Sequence, residues 1–193
     1  MKCINNNVNN TIYIKKSKFI TYLYKVNDVN EVNNIFIDIK DKYKDARHIT
    51  YAYIINNLEK CSDDKEPSGT AGIPILNVLK NNDLNFILCI VIRYFGGILL
   101  GTGGLSRAYS KSCIEGLQET ELKDINSGYE YEISFNYNHV KEVDYILIES
   151  TIINKKFDNE ITYLVNSYEE DYNKIYNKLN NICKINIIKK IYM

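Results

Sequence analysis

Arginine is scarce in this 193-residue chain: Arg47, Arg93 and Arg107 are the only three. Proline occurs twice, as Pro67 and Pro74, and glycine nine times. Most of these rare residues crowd into 63–107, while Asn, Ile, Lys, Tyr and Asp dominate elsewhere. Glycine supplies positive φ and close backbone approach, and arginine supplies planar, permanently charged forks for anions. Their concentration in one stretch marks a local physical demand.

Net charge is absent too. Twenty-four basic residues balance twenty-four acidic ones, so no global field draws the protein to nucleic acid or membrane, and any such binding needs a local patch. The five cysteines (Cys3, Cys61, Cys89, Cys113, Cys183) are odd in number, scattered and without a CxxC pair. That pattern excludes a disulfide framework and argues against a thiolate metal site, for which only His48 and His139 offer further nitrogen ligands. The N-terminal MKCINNNVNN has no apolar signal core, and no apolar run approaches the ~20 residues of a membrane span. These absences predict a reduced, cytoplasmic protein with no membrane partner.

What remains is an ordinary globular composition, 45% hydrophobic and 25% charged, long enough for one domain or two small ones. Residues 11–26 read as a strand or a bent pair of strands, with Lys15, Lys16 and Lys18 on a solvated edge. A helix begins after Asp28, which forms a D-x-x-E capping pattern with Glu31, and Val29, Val32, Phe36, Ile39 and Tyr43 line one face. HITYAYII (48–55) is a strand, and 59–69 an acidic loop. Ser68 or Thr70 is predicted to cap a helix carrying Pro74 in its first turn and Ile75, Leu76 and Leu79 inward. FILCIVI (86–92) suits a central strand, and 105–117 a helix. Beyond about 125 the pattern reads strand, helix, strand, strand, helix, strand, with a hairpin at Asp158-Asn159 and an S-x-x-E box from Ser167 to Glu170. That order is the ferredoxin-like split βαβ arrangement. The prediction is an α+β fold in two domains, 1–125 and 126–193.

Two phosphate-binding templates fail in the glycine-rich stretch. Gly96-x4-Gly101 has P-loop spacing, but Thr102 stands where that motif needs lysine, and Gly101-Thr102-Gly103 leads to Ser106 where a dinucleotide fingerprint needs its third glycine. A generic anion site survives: the turn holding Gly96, Gly97, Gly101, Gly103 and Gly104 leads into a helix whose first amides are free, with Arg93 and Arg107 flanking it. Arg93 is equally suited to pairing with Asp63, Asp64 or Glu66. Asp45, His48, Asp63, Asp64 and Glu66 form an acidic cleft set able to hold a cation or to act as acid and base, although no catalytic motif organises them. Cys61 with His48 lacks the third group that a thiol nucleophile needs. Most of the seventeen tyrosines sit at core spacings; Tyr94 and Phe95, beside Arg93 and a diglycine, are the aromatics placed for stacking contacts.

Asp45-Ala46-x-His48 with Tyr51-Ala52-Tyr53, SDDKEPSGTAGIPIL (62–76) and IRYFGGILLGTGGLSRAY (92–109) closely resemble the YigZ/IMPACT family. The resemblance implies an N-terminal domain of the ribosomal-protein-S5-domain-2-like type and a C-terminal ferredoxin-like domain. This pair is similar to domains IV and V of elongation factor G, which contact the ribosome. Eukaryotic IMPACT members regulate a starvation-responsive initiation-factor kinase by competing for its activator, and carry a different N-terminal partner-binding domain. That domain is not expected here, since the matching blocks begin about 45 residues in, so the kinase role is not carried over. Some relatives have been labelled proline dipeptidases, which no metal-ligand set in this sequence supports.

The reading that follows is a cytoplasmic, non-enzymatic RNA- or ribosome-associated protein of translation control. Arg93, Arg107 and Gly101, Gly103 and Gly104 would hold phosphates, Tyr94 or Phe95 would stack, and no cofactor or metal is called for. Two alternatives stand beside it: a hydrolase or peptidase acting on a small phosphorylated or peptidic metabolite through Asp64, Glu66 and His48, and a protein-interaction module.

Overall fold

The computed structural model describes residues 1–56 and 58–193. The chain forms an α+β fold in two units, Met1–Asp124 and Ile125–Met193.

The first unit runs β1 (Lys2–Ile4), β2 (Val8–Ile14), β3 (Ser17–Lys25), α1 (Val29–Lys42), β4 (His48–Ile55), β5 (Leu58–Ser62), α2 (Gly72–Asn81), β6 (Ile87–Tyr94), α3 (Thr102–Leu117) and β7 (Leu122–Asp124). Strands β2-β3-β6-β4-β5 make one antiparallel sheet, and β1 pairs with β7 in a separate ribbon. Central strand β6 explains its own apolar run. Successive side chains alternate between faces: Ile87, Cys89 and Val91 pack with residues of α2 and α3, while Leu88, Ile90 and Ile92 pack with residues of α1. A strand covered on both sides has no polar face to show.

Helix α1 starts as its sequence predicts. Asp28 Oδ1 accepts the Glu31 amide at 2.9 Å, and Glu31 reaches back to the Asn27 amide at 2.7 Å. Two other expectations are corrected. Residues 59–62, read as the start of a loop, belong to an edge strand, Leu58–Ser62, paired with β4; its side chains are largely exposed, so no apolar alternation marks it. The cap of α2 comes from neither Ser68 nor Thr70. Asp63 Oδ1 instead accepts the amides of Ala71 and Gly72 at 2.9 and 2.8 Å, from a sequence distance that local capping templates do not span.

The second unit runs β8 (Ser127–Phe135), a 3-10 turn, α4 (Val140–Ile146), β9 (Thr151–Phe157), β10 (Ile161–Tyr168), α5 (Glu169–Leu179) and β11 (Lys184–Tyr192). Its antiparallel sheet has the order β11-β8-β10-β9, and Tyr131, Ile133, Tyr163 and Val165 share a core with Val143 of α4 and Ile175 of α5. The expected Ser167–Glu170 box is absent. Ser167 Oγ is buried against the Tyr131 hydroxyl at 3.0 Å, and α5 relies on Glu169, Glu170 and Asp171 in its first turn to offset the helix dipole. Among the described residues, no helix is long and apolar enough to cross a membrane.

Candidate functional site

The site grows from the end of β6. Arg93 lies on the same face as Cys89 and Val91, two residues past the core, so its side chain enters beside α3 and opposite His48 of β4. Glu66, from the loop between β5 and α2, meets it there. Arg93 Nη1 donates to Glu66 Oε1 at 2.6 Å, and both residues are buried, 5% and 8% exposed. The Tyr109 hydroxyl of α3 donates to the same oxygen at 2.8 Å. Burial pushes the Tyr109 hydroxyl far above the ordinary phenol range and the Glu66 charge adds to this, so it remains a donor. His48 completes the floor. Its Nδ1 lies 2.8 Å from the Asp64 carbonyl, which only accepts, so Nδ1 carries a proton and Nε2 faces Glu66 Oε1 at 3.7 Å.

Arg93 is not fully used by this network. Its Nε is buried with no hydrogen-bond partner among the described residues. Its guanidinium lies 5.6 Å from the ring centroid of Phe19 and 5.7 Å from that of Phe95. The Arg47 guanidinium lies 5.7 Å from the same Phe95 ring. Above this floor opens a cleft of about 420 Å³, whose lining includes Arg47, Lys65, Phe95, Leu99, Gly101 and Thr102. Arg47 and Lys65 are exposed and form no ion pair among the described residues, so they bring positive charge to its rim.

Helix α3 adds a further positive element. Its N-cap is Gly101, whose φ of +70° favours glycine, and no side chain among the described residues caps it. Its first turn holds no acidic residue, in contrast to the Asp-capped α1 and α2. The amides of Thr102, Gly103 and Gly104 have no carbonyl one turn earlier to bond, and the positive end of the dipole faces the cleft through Gly101 and Thr102. Gly96 fixes the loop between β6 and α3. A Cβ there would run into the Lys16 carbonyl group, so only glycine lets this loop lie against the β2–β3 turn.

Several predicted residues are elsewhere. Arg107 does not converge with Arg93: it is exposed and lines a separate groove with Pro74 and Asn77 of α2. Five residues beyond Thr102, it is turned about 140° around the helix. Tyr94 is one step from Arg93 and so falls on the α1 face, where its hydroxyl donates to Asp45 Oδ1 at 2.9 Å. Nor do the acidic residues assemble. Asp64 Oδ2 accepts the Ile49 amide at 2.6 Å, and Asp63 accepts from Gly69, Ala71 and Gly72. Burial alone would raise the Asp63 carboxyl, but these three amides hold it below its usual range. Of the acidic set, His48 and Glu66 line the cleft. Arg47 and Lys65 were missed as site residues; their adjacency to His48 and Glu66 in sequence was the available signal.

The Impact N-terminal domain profile matches residues 15–117, a span that holds the whole cleft. The chain belongs to the IMPACT family. It is 39% identical over 164 residues to the IMPACT family member YvyE of Bacillus subtilis (strain 168), covering 83% of this chain and 74% of that protein. It is 33% identical over 151 residues to the IMPACT family member YigZ of Escherichia coli (strain K12), covering 75% and 74%. A crystal structure of a hypothetical protein superposes with a TM-score of 0.69 at 28% identity and covers 97% of each chain. In this IMPACT-family chain the three blocks that carry the resemblance supply His48, Glu66, Arg93 and Gly101 to one cleft.

Proposed function

We propose that this protein is a cytoplasmic RNA- or ribosome-associated factor of translation control that binds phosphate groups in the cleft. Residues 1–125 serve as the IMPACT-type binding domain and 126–193 as a ferredoxin-like companion. The observation that carries this reading is the uncapped, acid-free start of α3 opening onto a cleft rimmed by Arg47 and Lys65. A helix start of this kind favours anions, and Arg is suited to phosphate geometry. Phe95, 39% exposed and with the Arg47 and Arg93 guanidinium groups each 5.7 Å from its ring centroid, puts an aromatic side chain at the cleft where an unstacked base could make contact. Arg93 shapes the floor, while its charge is balanced by Glu66.

The enzymatic alternative has less support, because Asp64 is spent on the Ile49 amide and Glu66 on a buried ion pair. Binding to purified ribosomes across a salt series tests the proposal. Affinity should fall with salt, and Arg47→Ala with Lys65→Ala should flatten the log–log slope by about 1.4, at roughly 0.7 for each single-strand phosphate that is no longer neutralised. Affinity indifferent to salt, or unchanged in the double variant, overturns it.

A further inference from the structure

Arg107 leads to a second feature. The groove between α2 and α3 has a volume of about 540 Å³ and is lined by Asn77 and Asn81 from α2 and by Ser106, Arg107, Ser110 and Lys111 from α3. Its charged groups are both cations, with amides and hydroxyls beside them and Pro74, Val78 and Ile114 as its apolar lining. Lys111 has an acidic neighbour, Glu115 at 3.5 Å, in a surface i,i+4 pair whose lysine is 62% exposed. Such a pair is worth only a few tenths of a kcal/mol in isolated helices, so an incoming phosphate can displace it. Arg107 takes part in no ion pair among the described residues. A phosphodiester backbone would find charge and hydrogen-bond donors here, and competition by an acidic peptide tests that choice of occupant.

The groove and the cleft are separate but share helix α3, the cleft reaching it at Thr102 and the groove at Ser106. Ser106, at its near end, donates to the Thr102 carbonyl at 3.2 Å, one helical turn from the cleft wall. We infer that a single RNA strand held at its phosphate in the cleft continues across the start of α3 and lays its following phosphates along Arg107 and Lys111. From Ser106 to Ile114 the groove follows about 12 Å of helix. That length spans roughly three stacked nucleotides at ~3.4 Å each.

This inference rests on the cleft reading, and the test separates the two. Fluorescein-labelled oligoadenylates of two and of six nucleotides are titrated by anisotropy over a salt series against the wild type, Arg47→Ala/Lys65→Ala and Arg107→Ala/Lys111→Ala. Because Arg107 and Lys111 are exposed, their replacement should leave the thermal melt unchanged, and Arg107→Glu provides a second variant of opposite charge. The wild type should bind the longer oligomer several-fold more tightly. In Arg107→Ala/Lys111→Ala that gain should vanish and the slope for the longer oligomer should drop by about 1.4, with dinucleotide binding retained. An intact length gain in that variant overturns the groove while leaving the cleft. Loss of dinucleotide binding in the same variant also overturns it, since the groove would then not be an extension. Equal competition by an acidic peptide makes the groove a protein site and overturns it as well.

Discussion

Consider Glu66→Ala. Glu66 belongs to the loop that enters α2 and is 8% exposed, with its carboxylate 2.6 Å from Arg93 Nη1 and 2.8 Å from the Tyr109 hydroxyl. Removing it leaves a guanidinium that is 5% exposed and already without a partner at Nε among the described residues. Breaking one side of a buried pair costs about 3–5 kcal/mol. That is a large share of the ~5–15 kcal/mol by which domains are stable. Replacing both partners, as Glu66→Met with Arg93→Met, removes the stranded charge along with its counterion. The double variant should therefore be more stable than either single one. Urea unfolding followed by far-ultraviolet circular dichroism measures this, with the transition of each unit fitted separately because two units need not melt together. If Glu66→Ala costs under about 1 kcal/mol, or if the double variant costs the sum of the singles, the pair is not the buried anchor described here.

Asp63 gives a pH-dependent prediction. Its carboxyl is depressed by three amides, so the folded state favours its ionised form. The resulting stability is present above the unfolded carboxylate pKa of about 3.9 and is lost as pH falls through the lower folded value. Asp63→Ala should cost about 1 kcal/mol at neutral pH through loss of the α2 cap and should weaken this acid sensitivity, as thermal melts between pH 2 and 6 would show. At Gly96, alanine would meet the Lys16 backbone, so Gly96→Ala should lower the melting temperature by several degrees, whereas alanine at Gly103, where the nearest atom is the far end of Arg107, should not. Differential scanning calorimetry distinguishes the two.

The fold was largely legible because its strongest signals are periodic. The β6 run, the α1 spacing with its Asp28 cap, and the strand–helix order after residue 125 each report local physics that tertiary contacts then reinforce. What stayed hidden depends on partners distant in sequence. Edge strand β5 shows its side chains to solvent, and Asp63 caps a helix that begins nine residues later. The site was legible as a region but not as a geometry. A strand flips faces at every residue, so Arg93 and Tyr94 part company, and a helix turns about 100° per residue, so Arg107 leaves the cleft that Thr102 walls.

That parting has a consequence for binding strength. An arginine that meets phosphate in a dry pocket interacts at low dielectric, where attraction is strong and salt matters little. Here the one buried guanidinium is already neutralised by Glu66, and Arg47, Lys65 and Arg107, which form no ion pair among the described residues, all stand in solvent. Charges so placed act within a Debye length of about 8 Å at physiological salt. Each contributes little alone, and a ligand gains affinity by meeting several of them in succession. On the proposed function, a single phosphate would bind weakly and a strand that crosses cleft and groove would bind tightly.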